Sequence, residues 1–123
     1  MQIPTRIKLH KAAKILELSY GKGQQYQLSA EFLRVHSPSA EVQGHGNPIL
    51  QYGKQQVALE KIEPVGQYAL KLYFDDGHDS GLYSWDYLEQ LATQQDSLWE
   101  NYLEALQQAG KSRDPHLAII KLV

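Results

Sequence analysis

Apolar and polar positions alternate through the first third of the chain, broken by Gly21-Lys22-Gly23. Period-two alternation marks a strand with one buried face, and glycines supply the positive φ of a tight turn. The pattern predicts strands over Thr5 to Leu9, Lys14 to Tyr20 and Gln24 to Leu28, the last two forming a hairpin. At Ser29-Ala-Glu-Phe-Leu-Arg34 the period changes. A capping hydroxyl, an early carboxylate and adjacent apolar residues predict a single helical turn there. From His36 to Gln56 periodicity fades among Pro38, Gly44, Gly46, Pro48 and Gly53, which predicts a long ordered or semi-ordered loop of the kind that carries function in small domains.

A second hairpin is predicted from Val57 to Ile62 and from Tyr68 to Phe74, with Leu70, Leu72 and Phe74 on one face. Asp75-Asp-Gly-His-Asp-Ser-Gly81 reads as a tight acidic turn, and Leu82-Tyr83 as the start of a short strand. Ser84 caps a helix whose stripe is Trp85, Leu88, Leu91 and Ala92, and Gln94-Gln95 interrupts it. Asp96 or Ser97 then caps a second helix, Ser97 with Glu100 as a capping box. Its buried side is expected at Leu98, Tyr102, Ala105, Leu106 and Ala109, and Gly110 ends it. The fold class that follows is α+β: antiparallel strands, a long ordered loop and two C-terminal helices packed on one side. Residues 1–115 form one domain in this reading, and residues 116–123 a tail that is either disordered or an added edge strand.

Composition narrows the function. A chain of 123 residues fills one core. With 12 Lys+Arg against 14 Asp+Glu, it lacks the basic excess that draws a phosphate backbone, so no nucleic-acid partner is expected. The absence of cysteine excludes a disulfide framework, a thiolate zinc site and a cysteine nucleophile. No stretch approaches a membrane span and the start has no apolar signal core, so the expectation is a cytoplasmic protein with no membrane partner. No serine sits in a Gly-x-Ser-x-Gly elbow, and Gly44-His45-Gly46 lacks the Lys and Ser/Thr of a phosphate loop, so no catalytic residue is assigned.

Three blocks carry a family resemblance: Leu33-Arg-Val-His-Ser-Pro-Ser-Ala-Glu-Val-Gln-Gly-His-Gly46, Glu63-Pro-Val-Gly-Gln-Tyr-Ala69 and Phe74-Asp-Asp-Gly-His-Asp-Ser-Gly-Leu-Tyr-Ser-Trp-Asp-Tyr-Leu88. From about Thr5 to Pro115 the chain resembles a small bacterial family similar to the N-terminal domain of gamma-butyrobetaine and trimethyllysine dioxygenases. In those enzymes the iron and 2-oxoglutarate chemistry belongs to a separate catalytic domain, so the resemblance implies a non-catalytic accessory module. A similar domain appended to some P-loop ATPases of iron–sulfur assembly implies a role beside a metal-handling machine. In zinc-bearing relatives the loop supplies three cysteines and the Gly-His turn one histidine. Matched by position, these fall on Ser37, Ser39, Val42 and His78. Serine is a poor zinc ligand and valine none. The resemblance therefore implies that the loop packs on the turn through hydrogen bonds among Ser37, Ser39, Glu41 and His78.

The first functional expectation is a loop and turn surface of Arg34, Ser37, Ser39, Glu41, His45, Asp76 and His78 offered to a protein partner, with no cofactor and the oligomeric state left open. Arg34 is expected in an ion pair, with Glu41 as one candidate. Asp75, Asp76 and Asp79 read as turn formers, and Trp85 as core, with one or both of Tyr83 and Tyr87 reaching the surface. The alternative is a metal-binding protein, in which His36, His45 and His78 with Glu41, Asp75, Asp76 or Asp79 hold zinc or iron in support of iron–sulfur assembly or an oxygenase.

Overall fold

A computed structural model of the chain describes residues 2–116. Its elements run β1 (Arg6–His10), β2 (Ile15–Ser19), β3 (Gln25–Ser29), α1 (Ala30–Val35), α2 (Ala40–Gln43), β4 (Leu59–Val65), β5 (Ala69–Phe74), β6 (Leu82–Ser84), α3 (Trp85–Thr93) and α4 (Gln95–Ala109). The strands form two three-stranded antiparallel sheets, ordered β1-β2-β3 and β4-β5-β6. The architecture is α+β, with α3 and α4 packed together at the C-terminal end.

In the first sheet, Leu16 pairs with Leu28 and Leu18 with Tyr26, and all three leucines are fully buried. Glu17 and Gln27 pair on the opposite face. The turn between β2 and β3 places not only Gly23 but also Lys22 in the left-handed region, at φ of 74° and 64°. In the second sheet Leu70 and Leu72 face the core, and Leu70 pairs with Tyr83. Tyr83 is fully buried and its hydroxyl donates to the Leu33 carbonyl at 2.5 Å, satisfying a polar group that would otherwise be costly inside.

The helical turn predicted at Ser29 is α1, capped by the Ser29 hydroxyl accepting from Phe32 N–H at 3.0 Å. Every residue from Ala30 to Val35 is buried, including Glu31 and Arg34, so both charges need partners within the fold. Helix α3 begins at the Ser84 cap and buries Trp85, Leu88, Leu91 and Ala92 as the spacing predicts. Helix α4 differs. It starts at Gln95 without a side-chain cap, because Gln94 N–H bonds the Gln90 carbonyl while the Gln94 carbonyl receives Leu98 N–H, letting one helix run almost directly into the next. Its buried residues are Tyr102 and Leu106; Ala105 and Ala109 are exposed.

The long stretch from His36 to Gln56 is built around α2 and a 3-10 turn at Gly44–Gly46. Its later part lies against a C-terminal strap: Gly53 N–H donates to the Ser112 carbonyl at 2.9 Å, Gln55 N–H to the Arg113 carbonyl at 3.0 Å, and the Tyr102 hydroxyl to the Gln51 carbonyl at 2.8 Å. Arg113 grips the buried Glu31 carboxylate through two bonds of 2.7 and 2.8 Å, a pairing across 82 positions. The expected tail lies, from residue 117 onward, outside the described residues. Among the described residues no helix is long and apolar enough to cross a membrane.

Candidate functional site

The loop after α1 and the turn between β5 and β6 meet at His78. The turn orients it locally: the Asp76 carboxylate accepts from His78 N–H at 3.1 Å, Gly77 takes a φ of 87°, and the His78 carbonyl receives Phe74 N–H at 3.0 Å. Across the gap, the imidazole Nε2 lies 2.8 Å from Ser37 Oγ and 3.3 Å from Ser39 Oγ. On the other side Nδ1 faces Glu41 Oε2 at 3.4 Å, and Ser80 Oγ donates to Glu41 Oε1 at 3.2 Å. Burial, reinforced by the nearby Arg34 cation, lowers the His78 pKa against the opposing pull of Glu41 and Asp76. The ring is thus neutral near pH 7, with Nδ1–H directed to Glu41 and the Nε2 lone pair accepting from serine hydroxyls. The loop packs on the turn through this clasp. Close approach depends on Gly81, where an added Cβ would lie 2.5 Å from Ser37 Oγ and 3.2 Å from Pro38.

Beside the clasp is a second polar cluster. Arg34 Nε donates to Asp76 Oδ2 at 2.8 Å and Arg34 Nη1 to Gln51 Oε1 at 3.2 Å, while Lys54 Nζ reaches the same Asp76 oxygen at 3.3 Å. Burial raises the Asp76 pKa, but the His78 N–H, Arg34 and Lys54 together outweigh it and hold the carboxyl below its ordinary range. The Arg34 partner is therefore Asp76 rather than Glu41, and the guanidinium belongs to a structural ion pair.

Arg34, Ser37, Ser39 and His78 are all buried, with Ser37 fully so. They form the frame behind the expected surface rather than the surface itself, because mutual hydrogen bonding satisfies them inside. Glu41 reaches solvent, with a side chain 71% exposed, and Asp76 is part-exposed. His45 lies in the 3-10 turn after α2. His36 stands apart from the clasp. Its Nδ1–H donates to the Phe32 carbonyl at 2.8 Å, its ring packs 4.6 Å from that of Phe32, and burial lowers its pKa despite that bond. Gln51, Lys54 and Ser80 complete the two clusters, and sequence reasoning did not single them out. The one sequence hint was the buried-helix charge of Arg34, which demands a carboxylate without saying which.

Hydroxyl, imidazole and carboxylate in a row also make up a hydrolytic relay, but here Ser37 Oγ is sealed beneath Gly81 and Pro38, so a substrate carbonyl has no approach. A metal does not fit the frame either. Two ligands about 2.1 Å from a tetrahedral ion stand about 3.4 Å apart, whereas Ser37 Oγ and His78 Nε2 are at hydrogen-bonding distance, 2.8 Å, and Val42 offers no donor atom. Among the described residues no three His, Asp or Glu side chains converge on a point where an ion would sit.

These features define a small α+β domain whose loop and turn are joined by a polar clasp. The gamma-butyrobetaine hydroxylase-like, N-terminal family model matches residues 7–89, from β1 into α3, and the chain belongs to that family. The family is that of a non-catalytic N-terminal domain. No protein of curated function matches the chain. Two protein structures solved by NMR in solution are similar over nearly the whole length: one at 66% identity and TM-score 0.87, covering 99% of this chain and 98% of the other, and one at 52% and 0.80, covering 100% and 94%. A crystal structure of a protein of unknown function from Acidithiobacillus ferrooxidans, of the DUF971 family, is 34% identical with TM-score 0.61 and covers 72% of this chain and 91% of its own.

Proposed function

We propose that this domain is a binding or accessory module that presents the loop and turn around Glu41 and Asp76 to a protein partner. The observation that carries the reading is the contrast between a rigid polar frame and the apolar groups displayed above it. Ile49 and Tyr52 are each more than half exposed on a loop tied down through Gln51 to Arg34, through Ile49 N–H to the Val42 carbonyl, and through the His78 clasp. Exposed apolar side chains on a preorganised loop lose little entropy on docking and anchor interfaces. Glu41, next in the chain to the Val42 carbonyl that holds Ile49, supplies a charge that selects the partner's orientation.

A photo-crosslinking amino acid at position 49, compared with one at position 103 on α4, tests this in cells of the source organism. The reading expects one discrete adduct from position 49 and, with the purified partner, a dissociation constant at least about tenfold weaker for Ile49→Asp than for the parent. Equal labelling from both positions, or undiminished affinity of a folded Ile49→Asp variant, sinks it.

A further inference from the structure

Away from the clasp, a cleft of about 300 Å³ opens between the first sheet and the start of α4, lined by Ile15, Gln27, Phe32, Gln95, Asp96 and Trp99. None of these residues belongs to the loop and turn site, and the wall formed by α4 lies beyond the part of the chain that the family model matches. The floor is apolar and aromatic: the Phe32 and Trp99 ring centroids are 6.4 Å apart at 58°. Gln95 Nε2 donates to the Gln27 carbonyl at 2.8 Å, fixing the mouth from both sides. The one charged group on the lining is Asp96, which is exposed and, among the described residues, in no ion pair.

We propose that this cleft is a binding site for a basic side chain of a partner protein, a lysine or arginine whose methylene stem lies on Ile15, Phe32 and Trp99 and whose cation meets the Asp96 carboxylate. Its volume is at the small end of ligand sites, which suits a single long side chain rather than a cofactor. The charge around it is complementary. Helix α4, which forms one wall, carries Asp96, Glu100 and Glu104 and no Lys or Arg, so that wall attracts a cation. The Arg113 guanidinium, 5.0 Å from the Trp99 ring centroid, is itself paired with the Glu31 carboxylate, and an aromatic floor with a carboxylate rim is the combination that holds an amphipathic cation.

The test is an NMR titration of the full chain with the N-acetyl methylamides of lysine, arginine and norleucine, following the Trp99 indole N–H and the Gln27 and Gln95 side-chain amides. Lysine or arginine derivatives are expected to shift these signals saturably at millimolar concentration, with norleucine much weaker. Asp96→Asn, which keeps the shape, is expected to weaken binding about tenfold, while Glu104→Gln on the same helix leaves it unchanged. Absence of saturable shifts with either basic derivative, equal response to norleucine, or equal affinity of the Asp96→Asn protein would overturn the proposal. Failure here leaves the Glu41 and Ile49 face standing, since the crosslinking experiment reads a different surface.

Discussion

Ser37 Oγ lies 2.8 Å from His78 Nε2, and that bond joins positions 41 apart at the point where the long loop meets the β5–β6 turn. Removing the hydroxyl with Ser37→Ala leaves Nε2 of the buried imidazole only the longer contact to Ser39, and should cost about 1–2 kcal/mol of stability. Gly81→Ala forces a Cβ to within 2.5 Å of the same oxygen and should cost about 1–3 kcal/mol by overpacking. Because both act on one contact, a double-mutant cycle by urea denaturation should give a combined loss smaller than the sum. Strict additivity would separate Gly81 from the clasp.

Glu31 and Arg113 hold the C-terminal strap to α1. The carboxylate is buried and the guanidinium is about one-third exposed, so Arg113→Met strands a charge that solvent relieves only in part; the expected loss is about 2 kcal/mol. Amide exchange at Gly53 and Gln55, whose N–H groups bond to Ser112 and Arg113, should accelerate in the same variant. Unchanged exchange there would show that the strap is held by other contacts.

Acid should weaken the fold in two stages. Burial lowers the pKa of His36 and His78 from the ordinary 6.5, so the unfolded chain takes up protons first; their contribution is complete above pH 6.5 and is lost as pH falls below it toward their lowered values. Asp76 acts further down: held below 3.8, it contributes above the ordinary carboxylate pKa and is lost as pH falls through its lowered value. Urea midpoints should therefore decline between about pH 7 and pH 5, and the decline should be shallower in His36→Gln. A flat profile across that interval would contradict buried, neutral histidines.

Much of the fold was legible because it rests on local pattern. Alternation located both hairpins, and the Ser29 and Ser84 hydroxyls marked helix starts that the structure caps as expected. The miss at α4 has a local cause as well, since Gln94 serves both as the end of α3 and the start of α4, which no capping preference signals. The site was legible only in outline. That Ser37, Ser39, Glu41 and His78 meet followed from the family resemblance; that Arg34 chooses Asp76, and that Glu31 finds Arg113, depends on contacts 42 and 82 positions apart, for which sequence spacing holds no signal. Arg34, Ser37, Ser39 and His78 are buried, although the expected surface included them, because polar residue types suggest surface until their partners are known.

The ¹⁵N spectrum of the His78 ring tests the central claim, that a self-sufficient hydrogen-bonded clasp joins loop to turn. At neutral pH the account predicts a neutral ring protonated at Nδ1, with Nε2 accepting a hydrogen bond and both signals unmoved by stoichiometric zinc or ferrous iron. A saturable one-to-one shift of Nε2 on adding either ion, or a ring that is protonated at both nitrogens, would contradict it.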